Sequence, residues 1–270
     1  MEQKLNIKTT ISEKITIANE IYNTLYKRAH ARLQYSYKKL AKLSDYHFPY
    51  YFTGEYKTEN YGVWFVILTI CNRPKHSFNN CDICFDAYQI YHITNARNSE
   101  NNGRGIFNIT CGNDLIPRFI EIAPHLLNRM QERSSNEIFE MSDEELCRFY
   151  KKETLKSIII MPKQTERIIN NISVRDGIAN IKNGQLLGTS FDNAKYICWK
   201  TYISINEMKD SQVAMNNIND SLYDFEISKM HPYIYNFLYS NILETLGNNI
   251  KELYDGNKEA RYSEDVRKYA

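Results

Sequence analysis

SIIIMPKQTERIINNISVRDGIANIKNGQLLGTSFDNAKYICWKTYIS, residues 157–204, decides the fold class. Five short runs rich in β-branched and aromatic residues, SIIIM, RIINNISV, GIANIK, QLLGTSF and KYICWKTYIS, alternate with polar breaks. Asp176-Gly177, Asn183-Gly184 and Asp192-Asn193 are hairpin signals, because their residues tolerate the positive φ that tight turns require. Residues 157–205 therefore read as an antiparallel meander.

Upstream of the meander, Pro124 suits the first turn of a helix, where its missing amide hydrogen is no loss. That helix should run through HLLNRMQER to about residue 134, preceded by a strand over residues 117–123. A second helix follows, with Ser142 and Glu145 at capping-box spacing. Further back, Tyr61 to Cys71, Phe85 to Thr94 and Ile106 to Cys111 have strand composition, separated by the polar loops NRPKHSFNN and NARNSENNGRG. Residues 10–44 read as one long helix opened by a Thr10–Glu13 capping box. Its apolar face is formed by Ile15, Ala18, Tyr22, Leu25, Ala29, Leu33 and Leu40. Residues 231–254 read as a C-terminal helix and the tail from Gly256 as a charged extension.

The expected fold is thus α+β, in three segments. An N-terminal helical arm with a β-rich region spans 1–113, a helix-plus-meander core spans 114–212, and a helical segment spans 213–270. At 270 residues, 43% hydrophobic and 24% charged, the chain can bury a substantial core. The longest apolar run, VWFVILTIC (63–71), is too short to cross a bilayer. The charged N-terminus lacks a signal-peptide core, so a cytoplasmic protein with six reduced cysteines and no membrane association is expected. The net charge of +2 does not by itself point to nucleic acid. The 21 tyrosines invite a base-stacking reading, but an AT-rich coding sequence explains them as well, together with the abundant Asn, Ile and Lys.

Three constellations could carry chemistry. The first is His125, Arg129 and Arg133, four residues apart on one helical stripe. A neutral imidazole in the first turn can act as general base on a ribose 2′-hydroxyl, and two guanidiniums can clamp a phosphate. The opposing reading is a surface helix with ordinary ion pairs, such as Glu132 with Arg129 or Arg133. The second is Cys71, His76, Cys81 and Cys84, whose spacing allows a structural zinc ion, against a reading as plain thiols with no cofactor. The third is TLYKRAHARLQYSYKKLAK (24–42), in which Lys27, Arg28, Arg32, Lys38 and Lys39 interleave with tyrosines and could follow a phosphate backbone. A solvated helix face is the plainer explanation.

The string PHLLNRMQERSSNEIFEMSDEEL, followed by a meander ending in KTYIS, resembles the RelE/BrnT-like ribonuclease toxins over about residues 115–205. In that pattern a helix carrying an H-x-x-x-R-x-x-x-R-like motif precedes a sheet whose last strand bears a polar residue. The resemblance implies a metal-independent endoribonuclease acting on RNA, with His125 as base, Arg129 and Arg133 as phosphate clamps, and Lys200 and Thr201 in support. This chain extends well beyond such a toxin on both sides. The alternative is a non-catalytic nucleic-acid- or protein-binding protein of a phage or mobile element; a third is an interaction protein with no nucleic-acid role.

Overall fold

Thr10 opens the first helix as expected: its hydroxyl accepts from the Glu13 amide while the Glu13 carboxylate accepts from the Thr10 amide. The computed structural model describes residues 5, 9–74, 82–93, 103–112, 115–133, 138, 140–154, 158–160, 165–181, 183–208 and 213. Helix α1 runs over Ile11–Gln34 and buries Lys14, Ile17, Ala18, Ile21, Leu25, Ala29 and Leu33. Ile15 and Tyr22 lie at the margin of that face. The helix is shorter than expected. At Tyr35 and Ser36 the backbone tightens to three-residue hydrogen bonds, and a separate turn, α2 (Tyr37–Leu40), plants Leu40 in the core.

Ten strands follow: β1 (Tyr50–Lys57), β2 (Val63–Ile70), β3 (Ile83–Ile93), β4 (Gly103–Cys111), β5 (Arg118–Ile122), β6 (Ile158–Ile160), β7 (Arg167–Ile169), β8 (Ile172–Ile181), β9 (Gly184–Phe191) and β10 (Tyr196–Ser204). Helices α3 (Pro124–Arg133) and α4 (Asp143–Thr154) lie between β5 and β6 in the chain. The strands form one sheet in the order β1-β2-β3-β4-β5-β10-β9-β8-β6, with β7 also on β8. Every pairing is antiparallel except β5 with β10, where Phe119 faces Tyr196 and Ile122 faces Trp199. The segment boundary expected at 113/114 falls within this continuous sheet, between the hydrogen-bonded neighbours β4 and β5.

The sheet is sandwiched. Its alternating side chains feed two cores: one against α1, around Leu25, Trp64, Phe85, Phe107 and Phe119, and one against α3 and α4, around Leu126, Met130, Tyr150, Trp199 and Tyr202. The α+β class therefore holds, with a mixed sheet between helical layers. No described helix is long and apolar enough to cross a membrane.

The meander differs from expectation at one turn. Asp176 and Gly177 lie in the middle of β8, paired with Thr189 and Gly188, and the chain reverses instead at Asn170-Asn171, with φ of 50° and 65°. The glycine gives the indole room: a Cβ on Gly177 would press on Trp199 Cζ3 at 3.3 Å. The chain does reverse after Ile181 and at Asp192-Asn193-Ala194 as expected, but Gly184 is already the first residue of β9, paired with Ile181, and not part of the turn. β1 was not expected, and the C-terminal helix over 231–254 lies outside the described residues.

Candidate functional site

The stripe His125, Arg129 and Arg133 does sit on one helix, α3, which packs against β10 and β4. Its apolar residues Leu126, Leu127 and Met130 turn into the core, and His125 is consequently exposed. Arg129 pairs with Glu132 one turn on, at 3.1 Å. Arg133 donates to the Tyr202 carbonyl of β10 and pairs with Glu207 at 3.1 Å. Its guanidinium is thus committed to holding α3 on the end of the sheet.

Thr201 and Lys200 are not brought to the same place. A bulge between Trp199 and Thr201 keeps both Trp199 and Tyr202 on the α3 side. Thr201 precedes Tyr202 in the strand and so projects from the opposite face. Lys200 acts electrostatically on the Cys198 thiol, whose packing is in the α1-side core. The structure therefore joins Arg133 to β10 but does not assemble His125, Arg129, Lys200 and Thr201 around one cleft.

The basic N-terminal set divides in two. Arg28 donates to the Lys57 carbonyl at 2.6 Å, and Arg28 and Arg32 stack on Tyr56 at 5.8 and 5.4 Å, so these two tie α1 to β1. Lys27, Lys38, Lys39 and Lys42 are exposed. Flanking the last three in the chain are the two most exposed large hydrophobic side chains among the described residues, Tyr35 at 91% and Tyr46 at 83%. Tyr46 follows α2 in a short 3-10 turn (Asp45–His47) and stacks on His47 at 4.0 Å. Arg73, just past β2, chelates the Ala41 carbonyl with two donors at 3.1 and 2.8 Å, adding a guanidinium beside Lys42. From Ile21 to Ser44 there is no carboxylate in the sequence. This corner is a concentrated positive surface carrying aromatic rings in solvent.

Of the four expected zinc ligands, Cys71 and Cys84 come together on adjacent strands, with their sulfurs 4.0 Å apart. His76 and Cys81 lie outside the described residues, and among those described no group of three or more His, Cys, Asp or Glu is placed to hold a metal. Around the thiols, the Lys151 ammonium of α4 bonds the buried Asp86 carboxylate of β3. Burial is the largest single influence on Lys151 and would lower its pKa, but the charge and hydrogen bond of Asp86, with Cys84 and Tyr51, together raise it. The Cys71 thiol, hydrogen-bonded to Cys84, is held protonated, and the same bond favours the thiolate of Cys84.

Sequence reasoning missed a second polar cluster entirely. On the α1 face, Lys14 Nζ contacts Glu121 Oε2 at 2.6 Å and Tyr196 Oη at 3.2 Å, and Tyr196 donates to the same carboxylate at 2.9 Å. Tyr91 reaches the other oxygen, Oε1, at 3.5 Å. Burial, then Glu121, pushes the Cys198 thiol beside this cluster up to about 11. The cluster is sealed under α1, so its chemistry is that of an interior lock. Periodicity alone offers one clue, since Lys14 sits one turn before Ile17 and Ala18 on the helix's buried face.

No protein-family model, no curated protein and no solved structure matches this chain.

Proposed function

We propose that the protein binds single-stranded nucleic acid without cleaving it, through the corner formed by the end of α1, α2 and the 3-10 turn after it. The observation that carries this reading is the exposure of Tyr35 and Tyr46 beside Lys38, Lys39 and Lys42, with Asp45 the single carboxylate between residues 35 and 46. Rings this exposed bury little of their apolar surface, whereas unstacked bases offer them a flat partner, and lysines follow the phosphates on either side. A duplex, with its bases stacked internally, would leave the rings idle, so a single strand is the better ligand. Cleavage is omitted because His125, the one general base of the α3 stripe, stands in solvent away from Thr201.

The test is fluorescence anisotropy of a labelled RNA or DNA oligonucleotide across a salt series, with the RNA recovered afterwards for length analysis. Binding should weaken with salt, and K38E/K39E/K42E should lower the log–log salt slope by about 2, given ~0.7 per phosphate contact on a single strand. An unchanged slope in that variant removes the proposal. RNA shortened without added metal, and left intact by H125A, would instead support the ribonuclease-like reading.

A further inference from the structure

We propose that Cys71 and Cys84 form an oxidisable dithiol, in which the Cys84 sulfur attacks a hydroperoxide and Cys71 resolves it to a disulfide. This is independent of nucleic-acid binding.

The pair is built by strand register. Thr69 of β2 lies directly across from Cys84 of β3, and Cys71, two residues on, shares that face. The sulfurs are 4.0 Å apart, in contact but unbonded. Both thiols are only partly buried, so a small oxidant can reach them. A disulfide requires about 2.05 Å between sulfurs, and because Cys71 lies diagonal to Cys84 the closure takes a shift of backbone at the strand end as well as side-chain rotation. Cys71 is at such an end: it follows Ile70, the last residue of β2, and its amide donates to the Asp82 carbonyl at 2.9 Å.

Thr69, directly across the ladder from Cys84, suits the attacking role to that sulfur. The Cys71 thiol can donate to it or to the Thr69 carbonyl at 3.9 Å. The Lys151 ammonium, anchored by Asp86 two residues along β3, lends positive charge to both thiols, against the negative charge of Asp82. The Thr69 hydroxyl across the ladder is buried and has no hydrogen-bond partner among the described residues. It is free to donate to an oxygen added to the Cys84 sulfur.

In the reaction the Cys84 thiolate attacks one peroxide oxygen and the O–O bond breaks. The leaving oxygen departs as hydroxide or alkoxide and takes up the proton Cys84 gave away. Cys84 is now a sulfenic acid. The Cys71 sulfur attacks it, the S–O bond breaks, and the oxygen leaves as water with the Cys71 proton. Two thiols lose two electrons to one hydroperoxide.

The test uses the full reduced chain with hydrogen peroxide, read by peptide mapping after alkylation. The expected product is a Cys71–Cys84 cross-linked peptide, reversed by dithiothreitol. In C71S, a sulfenic-acid trap should label Cys84; in C84S, labelling of Cys71 should fall about tenfold or more. Circular dichroism of both variants checks that the fold persists, and C84A serves as a second variant if C84S does not fold. A bond from either thiol to Cys81, equal labelling of Cys71 in C84S, or no oxidation of either residue overturns the proposal. So does a stoichiometric metal ion retained by the purified chain and lost in C71S.

Discussion

Lys14 and Glu121 are 107 residues apart in the chain and meet as a buried ion pair of 2.6 Å between α1 and β5. Removing one partner strands the other's charge in the core. Lys14→Met should therefore destabilise the protein by about 3–5 kcal/mol, read from the urea midpoint at constant slope. Replacing both, K14M/E121M, should recover much of that loss. Equal midpoints for wild type and K14M would show that the pair is not holding the helix down.

Gly188 and Gly177 oppose each other across β8 and β9 beneath the Trp199 ring. A Cβ on Gly188 would stand 2.1 Å from the Cys198 carbonyl oxygen, while one on Gly177 would only press on the edge of the indole at 3.3 Å. Gly188→Ala should thus lower thermal stability far more than Gly177→Ala, with the former displacing backbone. Similar melting temperatures would contradict that ordering.

Arg133 anchors α3 through the Tyr202 carbonyl and Glu207. Arg133→Met should cost roughly 1.5–3 kcal/mol of stability, as for a lost charge-assisted hydrogen bond. A ribonuclease role would instead appear as lost cleavage in a variant whose unfolding midpoint has not moved.

Glu13 and Glu145 both close capping boxes, and hydrogen bonds from Thr10 and Ser142, first from the hydroxyl and then from the amide, lower their pKa values. A carboxyl whose folded value is depressed stabilises the protein above its unfolded value and loses that contribution as pH falls through the folded one. Stability should therefore decline on acidification below the ordinary glutamate range, and T10V/S142A should flatten that decline. A pH profile that is unchanged by the double substitution would remove the caps from the account.

Tyr35→Ala and Tyr46→Ala should each weaken single-strand binding by about 1–3 kcal/mol, with little effect on the salt slope. Lysine substitutions should do the reverse in slope. The two signatures separate stacking from charge, and anisotropy titrations at two salt concentrations read both.

Local chemistry made much of this architecture legible. The Thr10–Glu13 and Ser142–Glu145 caps, Pro124, and the turns around Asn183 and Asp192 each act over a few residues, where sequence and conformation are directly coupled. Asp176-Gly177 misled because the glycine serves a tryptophan from another strand, a reason with no local trace. β1 was hidden by Gly54 and by the charged residues suited to a strand at the sheet's edge. The site was less legible still. Lys14, Glu121 and Tyr196 belong together only through topology, as do Arg73 and Ala41. His125 and Thr201 looked like partners only while the bulge before Thr201 was unknown.

The parallel pairing of β5 with β10 has a consequence for how the chain is made. As it emerges in order, β1 to β5 can zip together early, but the flank of β5 facing away from β4 must wait for the last described strand. Until β10 arrives, the backbone amides and carbonyls of residues 118–122 form an open seam in the middle of the eventual sheet, beside hydrophobic Phe119 and Ile122. A chain interrupted before Tyr196 would carry that seam permanently, and self-association through it is the failure such a layout invites.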